Sequence, residues 1–331
     1  MKVFIVIFAI VITSLMILKP ASAQLSAKIE SDTVVTNLLQ LEEDVNRMEA
    51  VSPNIKKDNA ARIVWANPDK KEKTEYVLVY IHGFSASWME GYPVNFDFAK
   101  RYGCNMYLAR LYGHGIDTTE ALVDLTPENY LETAKKAVAI GRQLGEKVIL
   151  MSTSTGGTLS LAIAAENPWI YGLILYSPNI DVVDSKSANF LTKPCGLWLG
   201  KLFHGKYMVY DDPPEVQKYW QSKYRLEAVR AMKRLVNATM TRETFEKIHQ
   251  PLFVGYYYKD DEHQDPTVSV PRILEMFDQI STPESKKWKV AFPDAGVHPI
   301  ASGILSKDVK GVEKKTFEFA EEVLGMSPVE K

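Results

Sequence analysis

A chain of 331 residues, 46% hydrophobic and 24% charged, can bury a large core and has the composition of an ordinary globular protein rather than a disordered or fibrous one. A formal net charge of -2 argues against nucleic acid as a partner. Two cysteines, Cys104 and Cys195, are too few for disulfides to be the main stabilising device, and two unpaired, buried thiols are expected.

The N-terminus stands apart from the rest. Met1-Lys2 is a short positive start, Val3 to Leu18 is apolar apart from Thr13 and Ser14, and Ala21-Ser22-Ala23 precedes Gln24. Residues 1–23 therefore read as a secretory signal peptide with an A-x-A cleavage site, predicting an exported protein, periplasmic or secreted. The alternative is an uncleaved segment that anchors the protein and associates it with a membrane; Lys19 after the apolar run favours it, while the shortness of that run does not. Residues 24–59 follow as an amphipathic helix and a linker. From Ser31 to about Ala50, Leu38, Leu41, Val45 and Met48 recur at helical spacing between acidic and basic residues, which suits a helix laid across the outside of a core. The polar stretch Ser52 to Asn59 is the linker.

Beyond it, apolar runs alternate with helical patterns. The runs are Tyr76 to Ile81, Met106 to Ala109, Val148 to Met151, Leu173 to Tyr176, Leu252 to Val254 and Trp288 to Phe292. Six strands separated by helices imply an α/β fold with a mostly parallel central sheet covered by helices on both faces. Thr126-Pro127 places a cap residue before proline at a helix start, and Gly145 stands where that helix stops. A last helix is expected from Lys307 to Leu324. One interval breaks the rhythm: about seventy residues separate the fourth and fifth strands, far more than a crossover helix needs. Residues 183–246 are rich in aromatic and apolar side chains and read as a helical cap, or lid, inserted over the strand ends, dividing the core into residues 60–182 and 247–331. A second packing layer with no part in binding is the plainer alternative.

Lys147-Val148-Ile149-Leu150-Met151 runs into Ser152-Thr153-Ser154-Thr155-Gly156-Gly157, a buried strand followed by a turn of small residues and then a helix. This is the setting of a nucleophile elbow that lifts Ser154 out of the sheet. A serine hydroxyl is a poor nucleophile without a base, and the base needs an orienting group. Of six histidines, His298 lies after the last predicted strand, in a loop from which an imidazole can reach the elbow. The acid comes from the segment after Leu252-Phe253-Val254. There Asp265 is favoured, because Asp265-Pro266-Thr267-Val268 leads straight into a helix from Pro271 to Ile280. Asp260 and Asp261 belong to what looks like a solvated charge run, and Asp181 after the fourth strand is a further alternative. An oxyanion needs two donors: the backbone N–H of Thr155 at a helix start, and that of Phe84 in His82-Gly83-Phe84-Ser85, with His82 shaping the loop. Arg110-Leu111-Tyr112-Gly113-His114-Gly115 lacks the spacing of a dinucleotide or P-loop and reads as a structural turn beside the site. His263 has acidic neighbours but no second histidine or cysteine at ligand spacing, so no metal is expected.

Together, His82-Gly83-Phe84, Gly113-His114-Gly115, the Ser154 elbow, Asp265-Pro266-Thr267-Val268 and His298 resemble the α/β-hydrolase superfamily, in particular its carboxylesterase and monoacylglycerol-lipase-like members. The usual elbow there is Gly-x-Ser-x-Gly, and here Ser152 replaces the first glycine. The resemblance implies a serine hydrolase with Ser154 as nucleophile, His298 as base and Asp265 as orienting acid, acting without a cofactor on small apolar esters or monoacylglycerols. The same constellation serves amidases, peptidases and thioesterases, and a non-catalytic hydrolase-like binding protein is the alternative from another class.

Overall fold

The computed structural model describes residues 25–30 and 37–329. The leader-like residues 1–23 and residues 31–36, where the first helix was expected to begin, lie outside them. After helix α1 (Leu38–Ala50) come strands β1 (Arg62–Val64) and β2 (Thr74–Ile81), helix α2 (Val94–Arg101), β3 (Asn105–Leu108), α3 (Pro127–Leu144), β4 (Gly145–Thr153), α4 (Thr155–Glu166) and β5 (Gly172–Tyr176). A long excursion follows, made of α5 (Ser185–Thr192), α6 (Gly196–His204), β6 (Tyr207–Val209), α7 (Pro214–Gln217), β7 (Lys223–Arg225), α8 (Leu226–Thr239) and α9 (Arg242–Glu246). The chain then returns through β8 (Leu252–Tyr256), α10 (Val270–Gln279), β9 (Lys287–Ala291) and α11 (Val309–Glu322).

Seven strands form one sheet in the order β1-β3-β2-β4-β5-β8-β9. All neighbours are parallel except β1 and β3. The apolar runs become strands because both faces of the sheet are covered. Val77, Val79 and Ile81 of β2 point into one core with Val148 and Leu150 of β4 and Leu173 and Leu175 of β5. Their neighbours Leu78, Tyr80, Ile149, Met151, Ile174 and Tyr176 point into the other. A period of two in side-chain direction with apolar residues at every position is what a doubly covered sheet requires. Arg62-Ile63-Val64 is too short to carry such a signal, so the antiparallel edge strand β1 is legible only in three dimensions.

Local chemistry sets the helix ends. The Thr126 hydroxyl accepts the Asn129 N–H at 3.2 Å while Asn129 Oδ1 accepts the Thr126 N–H at 2.9 Å, a reciprocal cap that starts α3 one residue before Pro127. Helix α1 lies on the core, burying Leu41 and Val45, and Glu49 near its end pairs with Arg110 at 2.6 Å.

The excursion between β5 and β8 has an inner and an outer part. Helix α8 is amphipathic and turns Leu226, Ala228, Met232, Leu235 and Val236 into the core. Its Lys233 is also buried, 1% exposed, and is ion-paired with Asp181 from the loop after β5. The aromatic residues of the segment read as a cap do not all face inward: Tyr224 is buried, but Phe190, Trp198, Phe203 and Tyr210 face solvent. Phe190, Trp198 and Phe203 are outside because α5 and α6 turn only Ala188, Leu191, Gly196 and Gly200 inward. Cys195 corrects another expectation. Cys104 is a buried free thiol, whereas Cys195 is free and exposed at the start of α6.

Candidate active site

Parallel strands put their C-terminal ends on one edge of the sheet, and the loops leaving β2, β4, β5, β8 and β9 meet there. The turn from β4 into α4 places Ser154 at φ 55° and ψ -124°, a backbone conformation that side-chain-bearing residues rarely adopt. The surrounding hydrogen bonds hold it there. The Ser154 N–H donates to the Tyr176 carbonyl at 2.9 Å, and the Ser154 carbonyl accepts from Gly157 N at 2.8 Å and Asn179 N at 2.9 Å. Close approach of backbones fixes the small residues. A β-carbon at position 156 would stand 2.0 Å from the Ile81 carbonyl oxygen, so glycine alone fits. Ser152, where the usual elbow has glycine, is fully buried, and its hydroxyl accepts a hydrogen bond from Ser160 of α4 at 3.1 Å. The extra hydroxymethyl group is thus accommodated with its polar atom satisfied.

Upstream, His82 shapes the loop after β2. Its Nδ1 lies 2.8 Å from the Gly83 carbonyl and donates to it, since Nε2 accepts the Leu111 N–H at 3.2 Å. Burial drives its pKa down to about 4, so the ring stays neutral. The Phe84 ring packs edge-on against Tyr224 of the excursion, with centroids 5.0 Å apart, and against His114 at 6.1 Å. His114 is itself stacked on Tyr130, which makes the Gly113-His114-Gly115 turn a floor under the loop. Gln221 N donates to the Ser85 carbonyl at 2.7 Å and ties the excursion to this loop. The N–H of Thr155, first in α4, has no intrahelical acceptor and sits at the positive end of the helix.

Downstream, His298 Nδ1 and Asp265 Oδ2 are 2.7 Å apart. The other carboxylate oxygen accepts the N–H groups of Thr267 at 2.9 Å and Val268 at 3.0 Å, in the turn that leads toward α10. Burial disfavours the charge on Asp265, but His298 and these donors hold its pKa below the ordinary value. Burial likewise opposes protonation of His298, and the Asp265 charge outweighs it, so that its pKa is raised. His298 Nε2 is buried and has no hydrogen-bond partner among the described residues. The other carboxylates weighed for this position are occupied elsewhere. Asp260 pairs with His263 at 2.8 Å on the surface, Asp261 accepts the Tyr258 hydroxyl at 2.9 Å, and Asp181 holds Lys233 and Ser185. Among the described residues, no group of three histidine, cysteine or carboxylate side chains is placed to hold a metal ion.

Two residues near the site escape sequence reasoning, whereas Tyr224 over Phe84 comes from the aromatic segment read as a cap. Asn179, whose Nδ2 donates to Thr155 Oγ1 at 3.2 Å, is brought in by the fold alone. Glu90 is 2% exposed and accepts the Gly83 N–H. An acid set among apolar Trp88, Met89 and Gly91 was the signal that could have found it.

A mostly parallel seven-stranded sheet sheathed in helices, with a strand, sharp turn and helix at its centre, is the architecture of the α/β hydrolases. The sequence model described as "Alpha/beta hydrolase family" matches residues 78–303, and the chain belongs to that family. No curated protein sequence matches it. Among solved structures, it is similar to one described under LipS and LipT, two metagenome-derived lipolytic enzymes, at 13% identity and a TM-score of 0.64, over 80% of this chain and 98% of that one. It is also similar to the monoacylglycerol lipase of Paleococcus ferrophilus, at 15% identity and a TM-score of 0.56, over 80% and 98%. Est1E of Butyrivibrio proteoclasticus with bound ferulic acid aligns at 18% identity and a TM-score of 0.53, over 83% and 100%.

Proposed function

We propose that this protein is a serine hydrolase of uncharged carboxylic esters, of carboxylesterase or monoacylglycerol-lipase type, working through an acyl-enzyme on Ser154. The observation that carries the reading is the 2.7 Å contact between His298 Nδ1 and Asp265, which leaves Nε2 buried and unpartnered. An imidazole oriented in this way presents one basic nitrogen to a proton donor. Ser154 Oγ passes its proton to Nε2 and attacks the ester carbonyl carbon. The oxyanion that forms takes hydrogen bonds from the Thr155 and Phe84 N–H groups, each such donor being worth about 10²–10³ in rate. As the tetrahedral species collapses, the imidazolium protonates the departing alcohol. Water, deprotonated by the same nitrogen, then attacks the acyl-enzyme and frees the acid and the serine. Asp265 keeps the tautomer and favours the imidazolium. No cofactor enters these steps.

The preference for uncharged substrates rests on what surrounds the site: Phe84, Tyr224 and Met232 are apolar, and the cations next to them in the chain are engaged elsewhere, Lys233 with Asp181, Arg225 with Glu120 and Glu227, and Lys223 over the Tyr207 ring. The names of the lipolytic enzymes and of the monoacylglycerol lipase among the similar folds agree with an ester substrate. Export through residues 1–23 belongs to the same proposal. The test is labelling by a serine-reactive fluorophosphonate together with turnover of a nitrophenyl ester chain-length series. The wild type is expected to label and to prefer acyl chains longer than acetate, and Ser154→Ala to do neither. Equal labelling of the two proteins sinks the enzyme reading, and a preference for acetate over every longer chain removes the lipid-like substrate.

A further inference from the structure

Glu90 is a buried carboxylate that the acyl-transfer steps leave unused. It stands in the short turn Trp88–Gly91, and its Oε2 accepts the Gly83 N–H at 2.6 Å. Gly83 is squeezed between this carboxylate and the nucleophile. A β-carbon built there would lie 2.9 Å from both Glu90 oxygens and 2.9 Å from Ser154 Cβ. The same segment reaches the opposite wall of the site: Tyr92 O accepts the Gly303 N–H at 2.6 Å, and Pro93 bridges Ser302, a few residues beyond His298. Residues 90–93 thus touch the loop before the nucleophile and the loop that carries the imidazole.

A carboxyl in this position is costly. Burial pushes its pKa up to about 7 against the pull of the Gly83 N–H and of His298, and the other ionisable side chains that feel its charge are Tyr80 of β2 and Tyr130 of α3. An apolar side chain of similar volume would pack there without that desolvation. What it would not supply is a fixed acceptor for Gly83.

We propose that Glu90 is a positioning residue which, by anchoring the Gly83 N–H, fixes the peptide that aims the Phe84 N–H at the developing oxyanion. The inference rests on the acyl-transfer reading of Ser154. An oxyanion donor works only within a narrow distance range, and a displacement of about 1 Å in such a group costs about 10²-fold in rate. Glu90 acts on the transition state through Gly83, so its loss lowers kcat and leaves KM almost unchanged.

Two variants separate reach from charge. Glu90→Gln keeps an acceptor oxygen at the same reach and loses the charge; Glu90→Asp keeps the charge and withdraws the acceptor by one methylene. On a nitrophenyl ester, Glu90→Gln is expected to stay within about fivefold of wild-type kcat, and Glu90→Asp to lose roughly 30-fold or more with KM within about threefold. Wild-type kcat in Glu90→Asp, or an equal fall in both variants, overturns the proposal. Selective ¹⁵N-glycine labelling decides the matter even where the aspartate variant does not fold. The Gly83 amide is expected to shift as the neighbouring carboxyl titrates in the wild type and to ignore pH in Glu90→Gln; a wild-type resonance that ignores pH overturns the anchor. That readout is independent of turnover. A failure of the acyl-enzyme reading, seen as full activity in Ser154→Ala, is therefore distinguishable from a failure of this one.

Discussion

At the residue scale, His298 is held between opposing demands. Burial resists its protonation, while Asp265 and the more distant Glu90 favour it, and the balance raises its pKa. On the proposed mechanism His298 is the general base and must be neutral to accept a proton, so the acid limb of the kcat/KM profile is expected above the ordinary imidazole value of about 6.5. In Asp265→Asn, the amide can present its N–H₂ to Nδ1 and hold the wrong tautomer. Turnover should fall by about 10³–10⁴, with the residual acid limb moved to lower pH. The same pair contributes to stability with a definite sign. The Asp265 pKa is depressed, so its contribution is present above about 3.9 and lost as pH falls through its folded value. The His298 pKa is raised, so its contribution is present below about 6.5 and lost as pH rises through its folded value. Urea midpoints of wild type and Asp265→Asn should differ most near pH 5, converge as pH falls, and narrow without closing as pH rises. In the sequence, chain order and turn chemistry single out Ser154 and His298 and favour Asp265, but composition does not separate Asp265 from Asp260 and Asp261 a few residues away. What separates them is contact: the Thr267 and Val268 N–H groups converge on Asp265, whereas Asp260 bonds to exposed His263. Glu90 is marked in the sequence only as an acid among Trp88, Met89 and Gly91, since its contact with Gly83 is one that only the folded chain makes.

At the element scale, the elbow is the best-specified piece of the molecule. Every residue of α4 from Thr155 to Ala164 is buried, and the helix has no polar face. Gly156 is there because the end of β2 runs directly beneath it, and Gly157 because Pro178, after β5, presses against it. Gly156→Ala would drive a methyl group to 2.0 Å from the Ile81 carbonyl oxygen, which a backbone atom cannot evade without shifting β2. A loss of about 3 kcal/mol or more is expected in chemical denaturation, with ester turnover falling in step. Strands β2, β4, β5 and β8 were equally legible, because they are buried on both faces. Strands β1, β6 and β7 were not, each having three residues and only one of them, at most, buried. The aromatic content of the excursion pointed to an apolar interior, yet Trp198, Leu202 and Phe203 lie on the outer face of α6. Composition records how many apolar residues a segment has, and tertiary packing decides which of them face inward.

At the scale of the whole molecule, two cores back onto one sheet, and the excursion is joined to the larger of them through α8. Its attachment includes one buried charge. Lys233 is 1% exposed with Asp181 as its ion partner and Ser185 as a further acceptor at 3.3 Å. Removing the acid leaves a cation stranded in the interior, so Asp181→Ala is expected to cost about 3 kcal/mol by urea unfolding. Adding Lys233→Met should restore most of that loss, because the double variant buries no unpaired charge. The order of the chain has a further consequence. Ser154 follows a central strand in the middle of the sequence, Asp265 follows β8, and His298 follows β9 at the sheet's edge, close to the last helix. During synthesis the hydroxyl leaves the ribosome long before the imidazole that would arm it. On the proposed mechanism a half-made chain, or one clipped after β8, is chemically silent, and acyl transfer begins only when the molecule is whole.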